Sequence, residues 1–177
     1  MIQTKRLTLR PWKISDWEPF YRMNADPEIM QYFPSTLNTK QSDEIKERIE
    51  NHHEQYGYGP WAAVLKEDGR FVGFIGLFQV SFDSFFTPAV EIGWRLDKSV
   101  WNQGIATEGA RACLRFGFDQ LGLKRIVSIT SVHNHSSKRV MQKIGMYFCS
   151  EFHNPNLPED HWLSKHVLYE KRVLNDM

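Results

Sequence analysis

The stretch from Ile105 to Leu121 repeats with the period of an amphipathic helix, yet it carries Gly109 and Gly117 inside it. Ala106, Ala110, Cys113, Leu114, Gly117, Phe118 and Leu121 fall on one side of that helix. Glu108, Arg111, Arg115 and Asp119 recur every three or four residues on the other. Each internal glycine costs about 1 kcal/mol relative to alanine. A chain tolerates this where another element packs closely against the helix, and a sheet is the natural neighbour. The charged side reads most simply as a solvated face with i,i+4 pairing.

The strands of such a sheet are legible in series. Arg6 to Arg10 alternates polar and apolar residues. Trp61 to Leu65, Phe71 to Val80 and Ala89 to Leu96 follow, with Asp68-Gly69 as the turn between the first two. After the glycine-bearing helix come a β-branched strand, Arg125 to Val132, and a short helix, Ser136 to Ile144, stopped at Gly145. Tyr147 to Phe152 and His166 to Val173 read as closing strands. Near the start, Ser15-Asp16 predicts one helix opening and Asp26-Pro27 another, with Pro27 at the first helical position. A longer polar helix is predicted from Thr39 to Glu54. The order is mixed α/β with a long antiparallel portion, compatible with helices packed on a twisted sheet.

At 177 residues, without repeats, low-complexity tracts or Pro/Gly-rich linkers, the chain reads as a single domain, 1–177. A hydrophobic share of 41% with a net charge of +1 excludes intrinsic disorder. The balanced charge argues against a nucleic-acid binder working through a general basic surface. No apolar run approaches the roughly 20 residues that cross a bilayer, and no signal-peptide pattern opens the chain, so no membrane partner is expected. Cys113 and Cys149 form no metal-ligand spacing and read as thiols of a reducing, cytoplasmic setting. The charge is not spread evenly. Residues 100–145 hold seven basic and two acidic residues, an excess of five, which leaves the remainder at −4. That central stretch is suited to an anion.

The segment that concentrates this chemistry is Trp101-Asn102-Gln103-Gly104-Ile105-Ala106-Thr107-Glu108, between a strand end and the start of the glycine-bearing helix. A helix N-terminus offers unpaired N–H groups and the positive end of a dipole, and Gly104 with the small Ala106 would let a phosphate approach the backbone. By itself this is also what an ordinary strand-to-helix loop looks like. No Lys-Ser/Thr follows the glycine as a P-loop requires, and a dinucleotide fingerprint needs three glycines. About 30 residues on stands Asn134-His135-Ser136-Ser137-Lys138-Arg139-Val140-Met141-Gln142-Lys143-Ile144-Gly145-Met146.

Together the two segments resemble the GNAT acetyltransferase superfamily, specifically its RimJ/RimL-like branch. In that branch a W-G-x-G-x-A-T-E loop opens the main helix, and N-x-x-S-x-R-V-x-x-K-x-G-F follows the next strand. The first appears here as Trp101-Asn102-Gln103-Gly104-Ile105-Ala106-Thr107-Glu108, with Asn102 at the motif's first Gly, and the second as Asn134, Ser137, Arg139, Val140, Lys143 and Gly145. Thr4 to Pro11 is similar to the branch's opening strand and Ala25-Asp26-Pro27-Glu28 to its next helix, so the resemblance spans nearly the whole chain. Trp101 stands where the wider superfamily has Arg or Gln, and Met146 where the motif has Phe. The fold implied is a twisted, mostly antiparallel mixed sheet of about seven strands flanked by helices.

The resemblance also implies a mechanism with acetyl-CoA as donor and no metal. Asn102, Gln103, Gly104, Ile105, Ala106 and Thr107 would hold its pyrophosphate. The pantetheine arm would lie along Glu91 to Leu96, with Trp94, Arg95 and Leu96 beside it, as a pseudo-strand does. Asn134 would hydrogen-bond that arm, and Arg139 and Lys143, four apart on one helix, would meet the nucleotide phosphates. Glu91 is the candidate general base, since burial would raise its pKa towards a useful range; a structural hydrogen-bond partner is its plainer role. Many relatives supply the acid from a Tyr where this chain has Met141. Some RimL-like enzymes use the motif Ser, here Ser137, which could otherwise serve only as a helix cap.

The acceptor implied is an amine, tilted by the branch to a protein or peptide N-terminus. Polyamines, amino acids and antibiotics are alternatives, as is a non-catalytic acetyl-CoA-binding module. Oligomeric state is not legible in the sequence, and a homodimer is an analogy with the branch and nothing more. His133-Asn134-His135, and His161 with His166, suggest metal sites, but neither pattern is completed by further ligands in the sequence.

Overall fold

The alternating and apolar runs do pair into one sheet. The computed structural model describes residues 1–173. Its elements in chain order are β1 (Ile2–Gln3), β2 (Leu7–Arg10), α1 (Ile14–Ala25), α2 (Thr39–Tyr56), β3 (Pro60–Leu65) and β4 (Phe71–Gln79). Then follow β5 (Val90–Leu96), α3 (Ile105–Asp119), β6 (Arg125–Ser131), α4 (His135–Lys143), β7 (Tyr147–His153) and β8 (Lys165–Arg172). The eight strands lie in the order β1-β2-β3-β4-β5-β6-β8-β7. Every neighbouring pair is antiparallel except β5–β6. The mixed, mostly antiparallel sheet expected from the sequence is therefore present, one short strand wider.

The glycines of α3 explain its position. A Cβ at Gly109 would sit 2.3 Å from Ile75 Cδ1 on β4. One at Gly117 would sit 2.7 Å from Ile126 Cδ1 and 3.0 Å from Leu77 Cδ1. The helix lies so close on β4 and β6 that these positions cannot carry a side chain at ordinary contact distance. Around it the main core gathers Leu7, Leu9, Ile75, Leu77, Ile92, Cys113, Leu114 and Ile126, all at or below 3% exposure. The opposite face of β4 presents Phe74 to a second, smaller core of Trp17, Phe20 and Ile49 from α1 and α2. Trp12 stacks flat on Trp17 there, with centroids 4.3 Å apart.

Three expectations need correction. The helix predicted to open at Asp26-Pro27 is a succession of turns. The Asp26 carboxylate accepts the Glu28 and Ile29 N–H groups at 2.8 and 3.2 Å, and Lys98 bridges Asp26 and Glu28. Pro34 then arrives before a helix nucleus could be extended. At α1, the side chain at the helix start is not Ser15 but Asp16, whose carboxylate accepts the Lys13 N–H at 2.7 Å. Arg10 holds that carboxylate through two hydrogen bonds of 2.6 and 2.9 Å, so the buried charge is paired. Strand β1 was not foreseen, because two residues carry no readable period.

Gly109→Ala separates local from tertiary control. Helix propensity alone gives a gain of about 1 kcal/mol, while overpacking against Ile75 gives a loss of about 1–3 kcal/mol. A net loss of stability in urea unfolding is the expected result.

Candidate active site

The site forms where the one parallel pair comes apart. β5 and β6 share a single registered pair, Glu91 with Val127, whereas β4 follows β5 along its whole length from Gln79–Val90 to Gly73–Leu96. Ser128 Oγ donates to the Ile92 carbonyl at 2.9 Å just past the last contact. Beyond it, the β6-facing backbone edge of Gly93 to Leu96 has no strand partner. Because the strands are parallel, the loops leaving their carboxyl ends, into α3 and α4, are neighbours.

The loop into α3 is held by the Trp101 indole, which donates to the Leu96 carbonyl at 2.8 Å. Asn102 and Gly104 adopt positive φ, 59° and 77°, turning the chain sharply into the helix. The first backbone bond into α3 runs from the Glu108 N–H to the Gly104 carbonyl at 3.0 Å. The N–H groups of Gln103 through Thr107 have no partner among the described residues. The dipole and the unpaired donors foreseen for this loop are thus both present.

Beside these donors lies an open cleft of about 460 Å³ lined by Lys5, Arg6, Arg111, Arg115 and Lys143, together with Gly104, Thr107 and Glu108. Arg6 donates to the Gln103 carbonyl at 2.8 Å and pairs with Glu108 at 2.7 Å. Thr4 donates to the same carboxylate at 2.6 Å. Arg111 donates to the Lys143 carbonyl at 2.6 Å, tying α3 to α4. A polyanion such as a nucleotide phosphate chain suits this combination of backbone donors and cations.

The remaining positions divide. Asn134 caps α4, its Oδ1 accepting the Ser137 N–H at 3.1 Å while its Nδ2 donates to Thr130 Oγ1 at 3.1 Å. The capping duty considered for Ser137 therefore belongs to Asn134. The half-buried Ser137 hydroxyl has no hydrogen-bond partner among the described residues. Lys143 reaches the cleft, but Arg139, four residues earlier and exposed, does not line it. Trp94 packs towards the main core, and Leu96 is buried there. Glu91, Gly93 and Arg95 alternate onto the opposite face, where Arg95 Nη1 donates to Asn24 Oδ1 at 2.6 Å. The Arg95 side chain thus points away from the cleft, leaving only its backbone for the role expected of it.

A family model described as an acetyltransferase (GNAT) domain matches residues 6–147. The chain belongs to the GNAT family of acetyltransferases. It is 32% identical over 145 residues to the uncharacterized N-acetyltransferase YnaD of Bacillus subtilis, covering 82% of this chain and 81% of that protein. It is 30% identical over 160 residues to the FsC-acetyl coenzyme A-N(2)-transacetylase of Aspergillus fumigatus, covering 86% and 67%. A crystal structure of a GNAT-family acetyltransferase from Bacillus anthracis superimposes with a TM-score of 0.79 at 26% identity, over 97% of both chains.

Within this GNAT frame Glu91 is the perturbed acid. The residue as a whole is half-buried, yet the surrounding protein desolvates the carboxyl and pushes its pKa up to about 8. The Ile129 backbone N–H, released from a full β5–β6 ladder, pulls the other way. What sequence reasoning missed is the cationic lining. Arg111 and Arg115 were assigned to a solvated face, although they belong to the local charge excess. Lys5 and Arg6 lie outside that stretch altogether and reach the cleft only through the fold. Among the described residues, no three His, Cys, Asp or Glu side chains gather as metal ligands, and no helix is long and apolar enough to cross a membrane.

The raised Glu91 pKa carries a stability consequence. Below the ordinary value of 4.5 the carboxyl is protonated in both folded and unfolded chains, so its burial has no charge penalty. As pH rises to about 8 the unfolded chain ionises first, and stability falls. Glu91→Gln is expected to be more stable than the parent at pH 9 by about 2–4 kcal/mol. In parallel urea titrations the gap should close towards pH 4.

Proposed function

We propose that this N-acetyltransferase is RimJ/RimL-like and moves an acetyl group from acetyl-CoA to a protein or peptide N-terminal α-amine. One observation carries the catalytic part. Glu91, whose carboxyl holds its proton up to about pH 8, stands beside the gap between β5 and β6, on the face opposite α3. The donor reading is supported by the unpaired N–H groups of Gln103 to Thr107, the cationic cleft and the open β5 edge. It is supported also by a 30%-identical relative named for acetyl coenzyme A. Asn102, Gly104, Ile105 and Ala106 shape the turn that would hold the pyrophosphate. Lys143, Arg111 and Arg115 would meet the nucleotide phosphates, with Arg139 at most at their margin.

Acetyl-CoA supplies an activated thioester carbonyl; the chain's own groups manage the protons. Glu91, ionised, takes a proton from the acceptor nitrogen directly or through one water. The amides of Gly93 to Leu96 orient the pantetheine arm as an added strand does. Asn134 keeps one Nδ2 hydrogen beyond its bond to Thr130 for the same arm. Ser137, its hydroxyl unengaged, returns a proton to the departing sulfur. An α-amine titrates near ~8, close to Glu91, whereas a lysine at ~10.4 demands far more of the base. That match favours an N-terminus as acceptor. The free thiols of Cys113 and Cys149 accord with a cytoplasmic setting.

Thiol release from acetyl-CoA, measured against peptides with free N-termini, polyamines and aminoglycosides, tests the proposal, with peptides expected to be the best acceptors. Glu91→Gln is expected to lower kcat/KM by about 10²–10⁴ and to remove the ascending limb near pH 8 that belongs to the enzyme. Turnover untouched by both Glu91→Gln and Ser137→Ala would refute the assigned roles, and calorimetry without coenzyme A affinity would refute the donor. Separately, Arg111→Ala and Arg115→Ala should each raise the KM for acetyl-CoA about tenfold, less so at high salt.

A further inference from the structure

The acceptor face of the sheet holds a cation that acetyl transfer does not use. Arg95 lies four residues beyond Glu91 on β5, on the same face. Its guanidinium is sandwiched, 4.3 Å from the Phe33 ring and 5.7 Å from that of Phe74. Asn24, fully buried, takes Nη1 at 2.6 Å and is itself set by Ser42 Oγ at 3.1 Å and by the Leu37 N–H at its carbonyl. No carboxylate among the described residues lies within ion-pair distance of Arg95. Nε is shielded from water and has no hydrogen-bond partner. Nη2 has none either, but it is not sealed off. Of the two donors on the Nε–Nη2 edge, Nη2 is the one an incoming carboxylate can reach with a charge-assisted hydrogen bond.

A desolvated charge without a counter-ion works against folding unless something supplies the partner. Here the desolvation is large enough to draw the guanidinium pKa down to about 10. The group is nevertheless held rigid by two rings and a buried amide, with Nη2 left over. Gly93, between Glu91 and Arg95, adds no side chain of its own, and the Phe78 ring from β4 lies over it, so an acceptor chain joining the two would run across that ring. Along a strand, four residues span about 13 Å.

We propose that Arg95 binds a carboxylate of the acceptor, so that the preferred substrate is a peptide N-terminus with an acidic side chain near its third or fourth residue. An extended peptide advances about 3.4 Å per residue, which brings such a side chain to Arg95 while the α-amine lies at Glu91. The same charge repels polycations, so polyamines and aminoglycosides are disfavoured acceptors. The inference rests on the amine-acetylation reading above and narrows it to a substrate class.

The test uses amidated pentaalanine peptides with a free N-terminus and a single Glu or Gln at position two, three or four. The parent enzyme is expected to prefer Glu over Gln by about tenfold or more in kcat/KM at position three or four, chiefly through KM. Arg95→Gln should bring the Glu peptides down to the level of the Gln peptides, and Arg95→Lys should restore part of the preference. Circular dichroism and coenzyme A calorimetry on both variants separate this from misfolding. If no peptide is acetylated, the acetylation reading fails, and peptide binding to the coenzyme A complex then decides the Arg95 claim alone. Equal affinity or turnover for Glu and Gln peptides, or a Glu preference that survives in Arg95→Gln, would overturn it.

Discussion

Everything at the site follows from an incomplete hydrogen-bond ladder. Backbone donors and acceptors inside a protein must find partners, and a fully zipped β5–β6 pair would have used them on each other. With one registered pair only, the Ile129 N–H is left facing Glu91, and the β5 edge beyond Ile92 stays open. The same divergence separates the carboxyl ends of the two strands enough for α3 and α4 to start side by side. A perturbed carboxyl, an open strand edge and two helix starts thus come from one structural event, and closing the gap would remove them together.

The cation-lined cleft is assembled from distant parts of the chain. α3 brings the free N–H groups, Arg111 and Arg115; the end of α4 brings Lys143; the β1–β2 segment brings Lys5 and Arg6. Glu108 shows why a running charge count misleads. It subtracts from the local excess in sequence, but in space its carboxylate is occupied by Arg6 and Thr4, and its pKa lies below the usual glutamate value. A negative residue in the first helical turn serves here as a structural clasp, leaving the neighbouring cations for a ligand.

What could be read in advance was what is encoded locally. Helix α3, its glycine start and the cap at Gly145 are each set by residues within a few positions, and their bounds shift little between sequence and structure. Glu91 was conspicuous as an acid within an apolar strand. Long-range features were out of reach. Arg95 looked like a residue beside the co-substrate until the pleat turned it towards Asn24, 71 residues away. Asp26-Pro27 carried a helix-opening signature, but the Asp26 carboxylate was recruited by a turn and by Lys98. Ser137 was a plausible cap, but the hydrogen-bond geometry gives that duty to Asn134, which in sequence reads only as a contact for the co-substrate.

The bonds from Thr4 and Arg6 to Glu108 join residues 104 and 102 positions apart. Contacts of such separation meet a loop-closure cost that local contacts avoid, and that cost is met before the contact rewards it. The pocket therefore depends on the far ends of the chain having come together. A ligand that grips both Arg6 and the α3 start would act as a bracket, selecting by mass action those molecules whose first strands have already docked.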